Sequence, residues 1–193
     1  IGGGEGEDED GCALMRTSDA GESWQALTCP SPQKLLDVSF VDARTGWAVG
    51  IQGLVIHSAD GGESWVRQDP GTTGKLTSVQ FVDARNGWIS VARSAFVLRT
   101  TDGGATWQQA ALRKTEDIST LYFLDDRRGW GLGGDGVLIA TVDGGATWTY
   151  LDYGSKRRMY AVAFPDALHG WVGGAEVRAT ADGGVTWQTQ PVP

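Results

Sequence analysis

One octapeptide recurs five times along the chain and limits its fold more than any other feature. The copies are TSDAGESW from Thr17, SADGGESW from Ser58, TTDGGATW from Thr100, TVDGGATW from Thr141 and TADGGVTW from Thr180. Their aspartates, Asp19, Asp60, Asp102, Asp143 and Asp182, stand 41, 42, 41 and 39 residues apart. A second motif falls between them: FVDARTGW from Phe40, FVDARNGW from Phe81, FLDDRRGW from Phe123 and FPDALHGW from Phe164. The two motifs take up all 9 tryptophans: Trp24, Trp65, Trp107, Trp148 and Trp187 in the first, the other four in the second. Self-similarity at this period marks a tandem array in which each unit is one small supersecondary structure.

Alternation and β-branched or aromatic content divide each unit into four short strands, in the third repeat over 78–82, 87–92, 96–100 and 106–110. The Asp-Gly-Gly core is a hairpin signal. Its carboxylate accepts hydrogen bonds from turn N–H groups, and glycine takes the positive φ that the turn requires. The Ser or Thr two positions before each aspartate adds a hydroxyl, and the tryptophan covers the hairpin with a large apolar area; the indoles are expected to wedge between neighbouring sheets. The Asp-x-x-x-Gly-Trp motif closes the first hairpin of each unit in the same way.

Four antiparallel strands repeating every 40 residues or so are the blades of a β-propeller. The expected fold is therefore all-β, one domain over 1–193, with about five blades: a partial one over 1–29 and full ones over 35–69, 76–111, 118–152 and 159–191. Residues 1–4 align with the end of a second strand, so the first unit lacks its Phe and Gly-Trp segments. Two arrangements follow, a five-bladed ring short of one strand or a stretch of a larger ring. Exposed strand edges are a liability in solution, which favours the second.

Composition agrees. Gly, at 29 residues, suits many tight turns, and 40% hydrophobic with 21% charged residues lies in the globular range. A formal charge of -8 makes nucleic acid or an anionic membrane a poor partner. No apolar run is long enough to cross a bilayer, and the opening Ile1-Gly2-Gly3-Gly4 does not read as a secretion leader.

The paired pattern, Phe-x-Asp-x-x-x-Gly-Trp followed by Thr-x-Asp-Gly-Gly-x-Thr-Trp, resembles the photosystem II assembly and stability factor family of Asp-box (BNR-type) repeat proteins. The resemblance runs from Ile1 to Trp187. It implies a propeller of the seven-bladed kind that docks on other proteins outside the cytoplasm, in the thylakoid lumen or periplasm, and an arginine-rich docking patch. Arg93, Arg157 and Arg158 are the nearest equivalents of that patch by loop position.

Successive loops of an antiparallel blade alternate between the two rims of the disc, so both motifs share one rim. Their near identity from blade to blade marks them as fold-making turns. The loops that differ occupy the other rim: 29–34, 69–75, 112–117 and 152–160 between blades, and 5–11, 50–53, 92–95, 133–136 and 173–176 within them. Function on a rigid scaffold sits on such loops. Lys34, Lys75, Arg93, Arg113, Lys114, Lys156, Arg157 and Arg158 make that rim a candidate partner-binding surface. Tyr153, Met159 and Tyr160 serve there as aromatic or apolar anchors. Glu5, Glu7, Asp8, Glu9 and Asp10 add an acidic loop. The expected partner is another protein, a membrane-complex subunit included, with carbohydrate stacking on Tyr153 and Tyr160 as an alternative.

Catalysis is not expected. Asp-boxes also occur in sialidases and xyloglucanases, but the Arg-Ile-Pro type motif carrying the first sialidase arginine is missing, and no two acids stand out as a pair. The Asp-box aspartates read as turn residues. His57 reads as an exposed polar strand residue and His169 as a turn residue, neither with zinc-ligand spacing. The acidic loop lacks the order of an EF-hand, so no metal or cofactor is called for. Cys12 and Cys29 flank the first Asp-box hairpin, and their numbers sum to 41, as do those of Thr17 and Trp24. In that register they face each other across adjacent strands and can form a disulfide, which fits an oxidising compartment. Two small buried thiols are the alternative.

Overall fold

A computed structural model of the chain describes residues 11–191. The expectations for residues 1–4 and for the acidic side chains of residues 5–10 lie outside the described residues. The fold is a β-propeller array of five antiparallel sheets. The first holds β1 (Leu14–Arg16) and β2 (Gln25–Leu27). The second runs β3 (Leu35–Phe40), β4 (Gly46–Gly50), β5 (Val55–Ser58) and β6 (Val66–Gln68). The third runs β7 (Leu76–Phe81), β8 (Gly87–Val91), β9 (Ser94–Thr100) and β10 (Gln108–Glu116). The fourth runs β11 (Ile118–Phe123), β12 (Gly129–Gly133), β13 (Leu138–Thr141) and β14 (Thr149–Leu151). The fifth runs β15 (Met159–Ala163), β16 (Gly170–Gly174), β17 (Val177–Thr180) and β18 (Gln188–Gln190). Within each full sheet the strands pair in chain order, as a meander.

The core lies between blades rather than within them. Each apolar cluster draws on two consecutive sheets: Trp47, Val49 and Val55 meet Leu76, Val79 and Phe81, and Trp88 and Val97 meet Ile118, Leu121 and Phe123. Second strands have a blade on either face, so β4, β8 and β12 are buried at every residue and read as continuous apolar runs. At each junction a second-strand tryptophan stacks on the first-strand phenylalanine of the next blade. Trp47 lies on Phe81, Trp88 on Phe123 and Trp130 on Phe164, with ring centroids 3.5, 3.5 and 3.6 Å apart. The glycine before each tryptophan makes room, since a Cβ on Gly87 would lie 2.4 Å from the Phe81 ring.

The innermost strands β3, β7, β11 and β15 are neighbours around the hub. Their facing backbones are not paired with each other but are served by side chains of the preceding blade. Asp37 Oδ2 accepts from the Val79 N–H at 2.8 Å, Ser39 Oγ from Phe81 N–H at 3.1 Å, and Gln80 both accepts from and donates to Phe123 backbone. The Tyr122 hydroxyl donates to Phe164 O at 2.8 Å. Polar residues in first strands thus answer the requirement that buried backbone groups be satisfied.

Three local expectations are corrected. Residues 112–116 continue β10 beyond a register shift after Ala111 instead of forming a loop. His57 is half-buried against Trp47, ring centroids 4.8 Å apart, and burial lowers its pKa. The indoles do not all lie between sheets: Trp24 and Trp171 are exposed. Both stand where, among the described residues, no further sheet adjoins to cover them.

Candidate docking rim

The motif rim is fully engaged in holding the fold. In the third blade Asp102 Oδ1 accepts from the Thr100 hydroxyl at 2.7 Å and from Thr106 N–H at 2.9 Å, while Oδ2 accepts from the Thr106 hydroxyl at 2.6 Å. Thr100 Oγ1 in turn accepts the Gly104 N–H at 2.9 Å. Gly103 has φ +74°, a conformation that L side chains rarely adopt. The same bonds recur at Asp19, Asp60, Asp143 and Asp182. The Ser or Thr just before each Asp-box tryptophan therefore has a role, and its presence in all five copies was a signal available in the sequence.

These bonds to the charged form hold the carboxylates low. The Thr106 hydroxyl and N–H lower Asp102 to about 2. Asp19 and Asp182 are lowered to about 2 by Ser23 and Thr186, and Asp60 is held well below the usual carboxylate range by Ser64. Asp143 also reaches about 2, its burial outweighed by Thr147 and Thr141. The second motif behaves alike: Asp166 accepts from the N–H groups of His169 and Leu168 and is lowered to about 2. The two turns of each blade are joined, with Gly61 N–H donating to Arg44 O, Gly103 to Arg85 O, Gly144 to Arg127 O and Gly183 to Leu168 O. Carboxylates so placed are turn anchors, with the opposite pKa shift from a general acid.

On the other rim, the loops between second and third strands bond to the segments that enter each blade. Ile51 N–H donates to Lys34 O, Ala92 to Lys75 O, Gly134 to Asp117 O and Ala175 to Arg158 O. Lys34, Lys75, Asp117 and Arg158 are thus equivalent positions around the disc. The approach is tight enough to demand glycine at Gly50, where a Cβ would lie 2.0 Å from Lys34 O.

Most of the basic residues singled out in the sequence sit on this rim, and some of them are gathered. Arg93 (φ 53°) and Lys114 line a depression of about 360 Å³ with Thr115, Glu116 and Asp117, walled on the far side by the Gly134–Gly136 turn. That turn packs against the next loop, because a Cβ on Gly136 would meet Ser155 O and the Cα of Lys156. Beyond it Arg157 and Arg158 are exposed, and Arg158 lies over the ring of Tyr160, 5.8 Å from its centroid. Tyr160 itself is 64% exposed. Arg93, Lys114, Lys156, Arg157, Arg158 and Tyr160 therefore follow one another along consecutive blades. Lys34 is half-buried at the entry to the second blade and Lys75 exposed at the entry to the third. Arg113 lies over the Tyr150 ring at 5.7 Å.

Two expected anchors are not on the surface. Tyr153 is 1% exposed, packed with Trp130, Leu132 and Leu138, and its hydroxyl donates to Arg157 O at 3.1 Å. Met159 is equally buried. As the first residue of an inner strand, Met159 belongs to the inter-blade core, and Tyr153 pins the loop that displays Arg157. Sequence reading also missed Glu116, a buried carboxylate 3.2 Å from Lys114 Nζ at the edge of the depression. Burial, and then the Glu116 charge, push up the nearby Tyr150 phenol. Glu116 falls outside both motifs, so periodicity carried no signal for it.

At the first blade, β1 and β2 pair with Leu14 opposite Leu27 and Arg16 opposite Gln25. Cys12 and Cys29, in the same register, are joined by a disulfide with Cα atoms 5.9 Å apart. Among the described residues no helix is long and apolar enough to cross a membrane.

Sheets in meander order, Asp-box turns on one rim and variable loops on the other define this chain as an Asp-box repeat β-propeller. Two overlapping segments, residues 14–115 and 67–158, match the family described as Photosynthesis system II assembly factor YCF48. They span more than half of the sequence, and the chain belongs to that family. No match is found among curated proteins. Among solved structures, YCF48 from Cyanidioschyzon merolae is similar at TM-score 0.65 and 19% identity, over 86% of this chain and 59% of that one. The chain thus spans about three-fifths of that relative's length. The GH74 xyloglucanase from Xanthomonas campestris has TM-score 0.75 and 15% identity over 97% of this chain and 35% of its own. Virginiamycin B lyase from Staphylococcus aureus has TM-score 0.78 and 12% identity over 93% of this chain and 63% of its own. At such identities the likeness is one of fold.

Proposed function

We propose that the chain is a non-catalytic, protein-binding propeller, an assembly factor that holds a subunit of a membrane complex by its variable-loop rim outside the cytoplasm. The observation that carries this reading is the division of labour between the rims. On the motif rim the repeated aspartates are held by turn donors and kept ionised. On the opposite rim Arg93, Lys156, Arg157 and Arg158 stand exposed along consecutive blades, with Lys114 beside the depression and Tyr160 as an exposed aromatic. Arginine and tyrosine in that setting suit a partner segment carrying carboxylates, since a basic strip on a chain of net charge -8 steers an acidic segment to one place. The family's name places its members in photosystem II assembly, and a related task is proposed here. The Cys12–Cys29 disulfide supports an oxidising compartment.

Replacing Arg157 and Arg158 together by Glu should weaken binding of a carboxylate-rich peptide by about tenfold or more, mainly through the association rate. Binding of the unaltered chain should weaken as salt is raised. Calorimetry or anisotropy with an acidic peptide panel reads the affinity, and circular dichroism shows that the fold is kept. Undiminished binding by the double variant refutes the assignment. Turnover of a glucan or sialoside oligomer would replace it with a glycosidase reading.

A further inference from the structure

The residue just before each Gly-Trp step differs from blade to blade, yet it always serves the same aspartate. Thr45, Asn86, Arg128 and His169 each give their N–H to the carboxylate that opens the motif, at 2.7–2.8 Å. Their side chains add a second hold. Asn86 Nδ2 donates to Asp83 Oδ2 at 2.8 Å, Arg128 Nη1 lies 3.5 Å from Asp125 Oδ2, and His169 Nδ1 lies 2.9 Å from Asp166 Oδ2. At Asp42 the N–H groups of Arg44 and Thr45, and then the Thr45 hydroxyl, hold the carboxyl low. Four unlike side chains thus share one property: each can donate, and none is an anion.

Asn86 is the copy that can lose this property unaided. It is the chain's only asparagine, and glycine follows it. Asparagine is a thermolabile residue, and glycine, lacking a Cβ, leaves its own nitrogen open to the preceding side chain. In the reaction available to such a step, the Gly87 nitrogen bonds to Asn86 Cγ. Nδ2 departs as ammonia, taking the proton that the Gly87 nitrogen gives up. Water then opens the cyclic imide at either carbonyl, leaving aspartate or an isoaspartyl link in which the main chain runs through the side-chain carbon. Water is the sole co-reactant.

The fold opposes the first step. Because Asn86 Nδ2 is bonded to Asp83, the side-chain amide is turned back along the chain and away from Gly87. The Asn86 N–H and C=O are also engaged, by Asp83 Oδ1 and by the Val82 N–H. Gly87 is buried in the ladder between Phe81 and Thr100, where the Phe81 ring leaves no space even for a Cβ. The imide can close only after the turn opens. We propose that Asn86–Gly87 is a self-modification site latched by Asp83: it deamidates from the opened turn, and the product closes that turn less tightly. Aspartate at position 86 sets a second carboxylate against Asp83 in place of a donor. The isoaspartyl form also lengthens the main chain beside Gly87, next to Trp88, which must meet Phe123 and Gly144 O. Opening of this turn is thereby made irreversible, and the third blade is where an aged chain first loosens.

The test incubates the full chain at mildly alkaline pH and follows the amide-to-acid mass change at residue 86 by peptide mapping. The Asp-Gly steps of the Asp-boxes isomerise without a change of mass, so they do not interfere. The native chain should react about a hundredfold or more slowly than the same chain in strong urea, since a step confined to the open form follows that form's population. Asp83→Ala leaves Asn86 and Gly87 in place and should raise the native rate about tenfold or more, with the rate in urea unchanged. Circular dichroism checks that this variant is folded. Should it not fold, the unaltered chain in urea below its midpoint takes its place, and its rate should climb ahead of global unfolding. Asn86→Asp should lower Tm, whereas Asn86→Thr, the residue of the preceding blade, should nearly preserve it. The proposal is overturned by equal rates in buffer and urea, by a folded Asp83→Ala chain that reacts no faster, by a rate that rises only with global unfolding, or by equal Tm for Asn86→Asp and Asn86→Thr.

Discussion

The stacked tryptophans should differ in energetic weight according to what each touches, although their sequence motif is the same. Trp47 is fully buried, stacks on Phe81 and donates to Gly103 O. Truncation to Ala removes a large aromatic from a close-packed junction and should cost about 3–5 kcal/mol. Gly103 O keeps Gln68 as a donor, so no further penalty is expected there. Trp88 is buried as deeply, but Gly144 O has no other donor among the described residues. Trp88→Ala should therefore add about 1–3 kcal/mol for the orphaned carbonyl. Trp171 is 44% exposed with no ring stacked on it, and its loss should cost only about 1 kcal/mol. At roughly 2–4 °C of Tm per kcal/mol for a chain of this size, Trp171→Ala should shift Tm by a few degrees and Trp47→Ala by about 6–20 °C. Trp88→Ala should shift it furthest. Scanning calorimetry under non-reducing conditions reads all three. Equal losses at Trp47 and Trp171 would refute the claim that inter-blade stacking, and not the motif as such, supplies the stability.

Other consequences concern the turns and the disulfide. The Asp-box carboxylates have lowered folded pKa values, so their contribution is complete above the unfolded value near 4 and is lost as pH falls through about 2; urea midpoints should hold down to about pH 4 and then fall steeply. Thr100→Val leaves the buried Gly104 N–H without its acceptor and should cost about 1–3 kcal/mol, with Thr100→Ser nearly silent, as read by urea unfolding. Reducing Cys12–Cys29 frees a hairpin whose partners span 17 positions, a loop for which the chain-entropy model gives about 3 kcal/mol. Hydrogen exchange should then quicken across residues 14–27 while the later blades keep their protection.

Much of this molecule was legible because its repeats report local chemistry. An Asp-box closes through bonds within eight residues, from Thr100 to Thr106 for example, so the motif carries its own turn wherever it occurs. The period then limited the array to blades, and alternation of loops assigned the two rims. What the sequence alone could not determine was which copies of a motif find a neighbour. Phe40 and Phe81, like Trp47 and Trp171, are alike in sequence but stand apart in exposure, because a blade face is covered only by another blade. The same non-local term placed Tyr153 and Met159 in the core, His57 against Trp47 and Glu116 beside Lys114. Local hydrogen bonds set each turn from eight consecutive residues, whereas burial depends on side chains some 40 positions away, and only the tertiary structure brings those together.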